Sequence, residues 1–265
     1  MLLTLSLLLL VSSILIGSTM LPVLLRPPEL PAPANSRLYG IEVSATSFDH
    51  PAVLAGSAFA AAIGIVGTVL LRNFFRKSIS PSLFFLAGAL AMHGFTIIRV
   101  LQIPLVGFGI GLVYSLALTR MVVFFHLTGV LSLFAASCYA VGASSPRLWS
   151  VSGVIVISAL ALAYAAPLDA TTMSSALIHR FQDTVNLQYV GGFLGLLSIA
   201  NYIRCARSGE ESNGAKLPVA IAALVLGREL SLYLTSMPIQ IAAAALLLFG
   251  VIAVIRSSYS VYLWS

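Results

Sequence analysis

Apolar runs long enough to cross a lipid bilayer recur along almost the whole chain, separated by short polar or proline-containing segments. A membrane-spanning helix needs about 20 predominantly apolar residues. Eight segments are predicted as spans on this basis: 2–25, 51–71, 82–103, 112–141, 148–166, 186–203, 217–236 and 239–255. The pattern predicts an all-α integral membrane protein, a single polytopic domain built as a bundle of about eight transmembrane helices.

Prolines, glycines and basic residues mark the ends of the predicted spans. Arg26, Pro27 and Pro28 close the first span, because consecutive prolines cannot continue a helix. Pro104 and the glycines after it mark the reversal between the third and fourth spans. The first apolar run is longer than the core of a signal peptide, about 7–15 residues, and no basic residue precedes it. We therefore expect it to be a retained helix.

The segment before the sixth span has an amphipathic pattern. Its apolar residues recur at helical spacing, and they are Met173, Leu177, Ile178, Phe181 and Val185. His179, Arg180 and Asp183 occupy the other faces of such a helix. This pattern predicts a short helix that lies on the outer membrane interface and seals the rim of the bundle.

Composition and charge agree with a membrane protein and set its orientation. Hydrophobic residues make up 59% of the 265 positions and charged residues 8%, against about 25% charged in soluble domains. With both termini inside, the cytoplasmic loops carry Arg72, Arg76, Lys77, Arg147, Arg204, Arg207, Lys216 and Arg256. The outer loops carry Arg26, Arg37 and Arg180. The positive-inside rule therefore predicts cytoplasmic termini in a plasma (inner) membrane, and it accounts for the net charge of +6 without nucleic-acid binding.

Charged side chains inside a span are costly and are candidate functional groups. The intramembrane set comprises Arg99, Arg120, Arg228 and Glu229, with His93 and His126 as titratable neighbours. In one interpretation Glu229 pairs with Arg99 or Arg120 and clamps the seventh span against the third and fourth. In the other, the arginines face a polar cavity that opens outward and takes an anionic ligand, headgroup or substrate.

Two further hypotheses concern the histidines. His93 and His126 lie on consecutive antiparallel spans and are candidate axial ligands of a b-type haem, or else hydrogen-bonded packing residues. At the outer rim, His50, His179 and Asp183 supply ligand types that zinc accepts. Because nothing in the sequence brings the two rim segments together, a solvated rim without metal or cofactor is the simpler expectation.

The sequence excludes some classes of function more firmly than it indicates one. The lysines, Lys77 and Lys216, lie outside the predicted spans, which excludes a covalently bound retinal. Nucleotide-binding, zinc-protease and serine-hydrolase motifs do not occur. We therefore expect a non-enzymatic accessory subunit or sensor module that works through another membrane chain or a second copy of itself. The alternatives are a small transporter or lipid- or anion-binding protein that uses the intramembrane Arg/Glu cluster, and a haem-binding redox subunit.

Overall fold

The structure is a computed structural model that describes residues 2–25, 36–38, 41–43, 49–74, 80–143, 147–181, 184–207 and 216–262. Helices account for most of this part of the chain, which confirms the all-α class. They are α1 (Leu2–Leu25), α2 (His50–Phe74), α3 (Pro81–Phe95), α4 (Gln102–Gly107), α5 (Leu112–Ala140), α6 (Leu148–Ala165), α7 (Thr184–Arg207), α8 (Lys216–Tyr233) and α9 (Met237–Tyr262). A 3-10 segment, Thr96–Leu101, joins α3 to α4.

Six helical runs have the length and hydropathy of membrane spans. These are Leu2–Met20, His50–Asn73, Pro81–Gly107, Leu112–Ala140, Leu148–Ala165 and Met237–Ser257. The sixth and seventh predicted spans coincide with α7 and α8, which are helical but more polar. The described chain is thus a multi-pass helical bundle with six spans identified by composition, fewer than the eight predicted from the sequence.

The predicted interfacial helix is wrong, because the segment forms an antiparallel hairpin of β3 (Leu168–Met173) and β4 (His179–Phe181). Leu177 has a φ of 58°, and the Ser174 amide donates to the Ile178 carbonyl at 3.0 Å. Such a turn reverses the chain and cannot continue a helix. Met173, Leu177 and Ile178 are nevertheless buried, so their spacing reflected burial in the hairpin.

Two strands also pair between α1 and α2, in an antiparallel hairpin of β1 (Ser36–Leu38) and β2 (Ile41–Val43). The second helix then begins with a side-chain cap, because the Asp49 carboxylate accepts a hydrogen bond from the Ala52 amide at 3.0 Å. Ser80 caps α3 in the same way, accepting from the Leu83 amide at 3.3 Å, with Pro81 at the first helical position. Local sequence thus sets where these helices start.

The core of the bundle is formed by α3, α5 and α8, with α2, α7 and α9 packed around them. In contrast, α1 and α6 are peripheral, with 22% and 17% of their spans buried. α2 and α3 pack closely at Gly64 and Gly94. A Cβ on Gly64 would lie 2.9 Å from the Leu90 carbonyl oxygen and 3.0 Å from the Gly94 Cα. Fully buried Leu9 of α1 packs against the same point.

We predict that Gly64→Ala lowers the stability of the protein by about 1–3 kcal/mol, the usual cost of overpacking. The added methyl group meets backbone atoms, which cannot rotate away. The matched control is Gly153→Ala on α6, where a Cβ has no neighbour within 4 Å. Thermal unfolding in detergent should show a lower Tm for Gly64→Ala and a Tm at or slightly above wild type for Gly153→Ala. Equal Tm values for the two variants would contradict the tight crossing.

Candidate functional site

The centre of the bundle holds a buried polar cluster on α3, α5 and α8. Arg228 and Glu229 are each 4% exposed. The Arg228 Nη2 donates to Glu229 Oε1 at 3.2 Å, and the same oxygen lies 3.5 Å from the His126 Nε2 of α5. The Arg228 guanidinium has room because residue 129 of α5 is glycine, whose Cβ would lie 3.5 Å from Nη1. Glu229 therefore links α8 to α5 through charged and polar contacts.

His93 of α3 joins the cluster through Ser231 of α8. The Ser231 Oγ donates to the Arg228 carbonyl at 3.0 Å and lies 3.4 Å from the His93 Nε2. Because a hydroxyl has one proton, the His93 Nε2 must be the donor in the second contact. A cavity of about 20 Å³ beside His93 and Arg228 has room for about one water molecule. The cluster is thus enclosed, and it is only partly paired: the Nδ1 atoms of His93 and His126 and the Nε of Arg228 have no hydrogen-bond partner among the described residues.

Arg99, which is 2% exposed, binds the end of α8. Its Nη1 donates to the Leu232 carbonyl at 2.9 Å and its Nη2 to the Ser231 carbonyl at 3.0 Å. The Nε donates to the Ser57 Oγ of α2 at 2.9 Å. The last carbonyls of a helix have no partner within the helix and carry partial negative charge. Arg99 therefore acts as a cationic cap on α8 and ties that helix end to α2.

Gln240 of α9 completes this cap. Its Nε2 donates to the Ser231 carbonyl at 3.1 Å and also to the Leu234 carbonyl. Its side chain fits because residue 56 of α2 is glycine, where a Cβ would overlap the Gln240 amide. Gln240 was not predicted from the sequence, although an amide side chain two residues after Pro238, near the start of α9, indicates a possible cap.

The predicted partners of Glu229 need correction. Its ion pairs in the described contacts are with Arg228 and His126 rather than with Arg99 or Arg120. Arg120 is half-buried, with its guanidinium carbon 5.1 Å from the centre of the Tyr164 ring of α6. Six residues along a helix turn through about 600°, which leaves the two side chains about 120° apart, so Arg120 and His126 lie on different faces of α5. Arg120 thus ties α6 to α5 by a cation–π contact.

The geometry does not fit the haem hypothesis. The Nε2 atoms of His93 and His126 already contact Ser231 and Glu229. The cavity beside His93 holds about a water molecule, which is far smaller than a porphyrin ring. Hydrogen-bonded packing histidines, the alternative interpretation, agree with these contacts.

A second polar network holds the β3–β4 hairpin on the bundle. The Ser115 Oγ donates to Gln102 Oε1 at 2.6 Å and lies 2.7 Å from the His179 Nε2, so it accepts from that nitrogen. Thr119 accepts from the Gln102 Nε2 at 3.1 Å and from the His179 amide at 3.2 Å. Burial lowers the pKa of His179 below its ordinary value, and the neutral ring fits this donor role. The network joins β4, α4 and α5.

This network also bears on the predicted metal ligands. The His179 Nε2 is engaged by Ser115, whereas His50 lies at the start of α2 beside α1. Asp183 lies outside the described residues. Nearby Asp169 is held in the hairpin by Thr171 and Thr172, whose hydrogen bonds lower its pKa to about 2. Within the part of the chain that the structure describes, no group of three or more His, Cys, Asp or Glu side chains is arranged to hold a metal ion.

An apolar groove of about 770 Å³ lies between α1, α2 and the 3-10 segment. Space for the groove remains between the helices because small residues line it, namely Gly17 on α1 and Ala58 and Ala62 on α2. Isoleucines from all three elements line it, and His50 is a polar group at one end. The sequence analysis missed this groove. The spacing of Leu54, Ala58, Ala61, Ala62 and Ile65, which lie on one helix face, was a readable signal for it.

The chain was also compared with models of protein families, with curated proteins and with solved structures, and no match was found. What this chain does is therefore inferred from the side chains of the polar cluster and of the groove.

We predict that Arg99→Met destabilises the protein strongly, by about 3 kcal/mol or more, because the carbonyls at the end of α8 lose a charged donor in a buried place. The control is Arg120→Met, which removes a cation–π contact worth about 0.5–1 kcal/mol. Thermal unfolding in detergent and the yield of folded protein should fall for Arg99→Met and change little for Arg120→Met. If Arg99→Met unfolds at the wild-type temperature, Arg99 is not a structural cap.

Proposed function

We propose that this chain is a non-enzymatic multi-pass membrane protein that binds a long apolar ligand, of the type of a lipid acyl chain, in the groove between α1 and α2. The observation that carries the proposal is the groove itself. Its volume of about 770 Å³ falls within the usual range for ligand pockets, about 300–1,000 Å³, and its lining is apolar with few polar groups. In this proposal the polar cluster is the rigid support of the bundle.

The dimensions of the groove suit a chain-like ligand. From His50 to Ile65 the lining of α2 extends over about 22 Å, while one leaflet of the hydrocarbon core is about 15 Å deep. His50 is a polar residue of the lining at one end, and the isoleucines further along offer apolar contacts. A ligand with a polar end and an apolar tail would satisfy both.

The proposal includes a topology of eight spans with both termini cytoplasmic, in the plasma membrane. At 1.5 Å per residue, α7 is about 36 Å long, which exceeds a hydrocarbon core of about 30 Å. α8 is about 27 Å long, slightly less than that thickness, but its 18 residues fall within the usual range for a span, about 17–25 residues. The charges of α8 do not oppose this, since Arg228 and Glu229 are buried among other helices and would not meet lipid. Exposed Arg204, Lys216 and Arg256 would share the cytoplasmic side.

A second candidate is the role of an accessory subunit that binds another membrane chain. The observation that favours it is α6, which packs on α5 and exposes most of its apolar side chains. Trp149, Val154 and Ile157 are each at least 64% exposed. A partner helix would cover this face in place of lipid. The two candidate functions therefore differ in whether a second polypeptide or a lipid remains bound to the purified protein.

Anion transport through the polar cluster has less support. The donors of Arg99 are directed at the end of α8 and at Ser57. Arg228 contacts a carboxylate, and the cavity beside it has room for about one water molecule. An anion would have to displace these contacts before it could bind.

The ligand proposal is tested by filling the groove. Ala62 is exposed on α2 and lines the groove, so Ala62→Phe should occupy it without strain in the core. The control is Gly153→Phe on α6, where the new side chain meets open space. Native mass spectrometry of protein from its own membrane should show an adduct of lipid mass on wild type and on Gly153→Phe. For Ala62→Phe we expect one fewer bound lipid, with at least a tenfold lower fraction of the most highly occupied species.

Two outcomes would contradict this proposal. An adduct that survives equally in Ala62→Phe does not occupy the groove. A wild-type protein that carries another polypeptide instead of a lipid would favour the accessory-subunit candidate.

The topology is tested by single cysteines in a variant lacking Cys138 and Cys205. Thr171→Cys and Met237→Cys, both at exposed positions, should react with a membrane-impermeant maleimide in intact cells. Lys216→Cys should react after the membrane is permeabilised, because α7 and α8 would each cross the bilayer. Labelling of all three positions in intact cells would show that α7 and α8 do not span.

A further inference from the structure

A second cleft, of about 440 Å³, lies between the end of α7 and the start of α8. It is lined by the apolar side chains of Ile199, Ile203, Ala206, Pro218, Val219 and Ala222. The two helices touch closely further along, where a Cβ on Gly195 would lie 2.9 Å from a methyl group of Val225. Towards the end of α7 and the start of α8, the lining includes two alanines, Ala206 and Ala222. Because their side chains are small, space remains between the helices.

The mouth of this cleft is basic. Arg207, in the last turn of α7, lines the cleft and is exposed. Arg204, also exposed, lies nearly one turn earlier on the same helix, and exposed Lys216 begins α8 at the same end. The sequence places Glu210 and Glu211 between the two helices, outside the described residues, so the basic residues remain in excess.

This combination selects one class of occupant. An apolar cleft at the end of two membrane helices takes an acyl chain, and a guanidinium at its mouth takes a phosphate through paired hydrogen bonds. A zwitterionic headgroup places its own cation beside the basic residues, whereas an anionic headgroup does not. Anionic lipids are concentrated in the cytoplasmic leaflet, the side on which the charge pattern places this end of the bundle.

We propose that the α7–α8 cleft binds one anionic phospholipid, with an acyl chain between the two helices and the phosphate on Arg207. This site is separate from the groove between α1 and α2, and it does not depend on what that groove binds. The cleft selects lipids by the charge of the headgroup, whereas the groove selects ligands by the shape of their apolar part.

The test uses the full-length protein, stripped of lipid in detergent and titrated with phosphatidylglycerol or with phosphatidylcholine of the same acyl chains. Native mass spectrometry measures the affinity of the first bound lipid. Each basic residue near a lipid headgroup contributes about fivefold in affinity. We therefore expect phosphatidylglycerol to bind at least fivefold more tightly than phosphatidylcholine, and Arg207→Gln to remove about that factor.

Three variants make the test specific. Arg256→Gln removes an exposed basic residue on α9 and should leave the headgroup preference unchanged. Ala222→Phe fills the cleft and should weaken binding of both lipids. Ala62→Phe fills the other groove and should leave the preference for phosphatidylglycerol intact, so the two sites are distinguished.

Equal affinities for the two lipids would overturn the proposal, as would wild-type preference in Arg207→Gln. An equal loss in Arg256→Gln would also overturn it, because binding would then follow surface charge in general. Arg207 is exposed, so its replacement is compatible with folding and keeps the test decisive even if Ala222→Phe does not accumulate.

Discussion

The cap that Arg99 places on the end of α8 is the interaction on which the arrangement of the bundle depends. The end of α8 is buried within the protein, where Ser231 and Leu232 are each less than 5% exposed, so its last carbonyls must find donors there. Arg99 supplies two such donors and Gln240 another, from elements on either side of α8. A third bond from Arg99 reaches Ser57, so one side chain fixes α8, α2 and the 3-10 segment together.

The polar cluster extends this constraint to α5. His126 contacts Glu229, and Arg228 occupies the space left by Gly129, so α5 and α8 are held in one register. Breaking such contacts would leave charges or polar atoms buried without partners, which costs more than the contacts themselves provide. The cluster is therefore suited to specifying a single packing of the central helices, and reactive chemistry there is not required to explain its presence.

With the centre fixed in this way, open space occurs where small side chains face each other at the periphery. The groove between α1 and α2 forms around Gly17, Ala58 and Ala62. The cleft between α7 and α8 forms around Ala206 and Ala222, beyond the close contact at Gly195. Both recesses include exposed residues, Ala62 in the groove and Val219 in the cleft, so both open at the surface of the bundle. The proposed functions follow from this division between a rigid polar centre and apolar recesses around it.

The sequence by itself determined the helical class, the approximate bounds of the long helices and the identity of the buried charged residues Arg99, Arg228 and Glu229. Runs of apolar residues force helices, because a backbone in hydrocarbon must satisfy its own hydrogen bonds. The tertiary structure alone decided which distant groups the buried charges contact, since partners such as Arg99 and the Leu232 carbonyl are 133 positions apart. It also turned the segment around Leu177 into a hairpin. The spacing of apolar residues indicates which side chains are buried, but a short segment can bury the same residues either as a helix or as a hairpin. In this protein the contacts of His179 with Ser115 and Thr119 stabilise the hairpin.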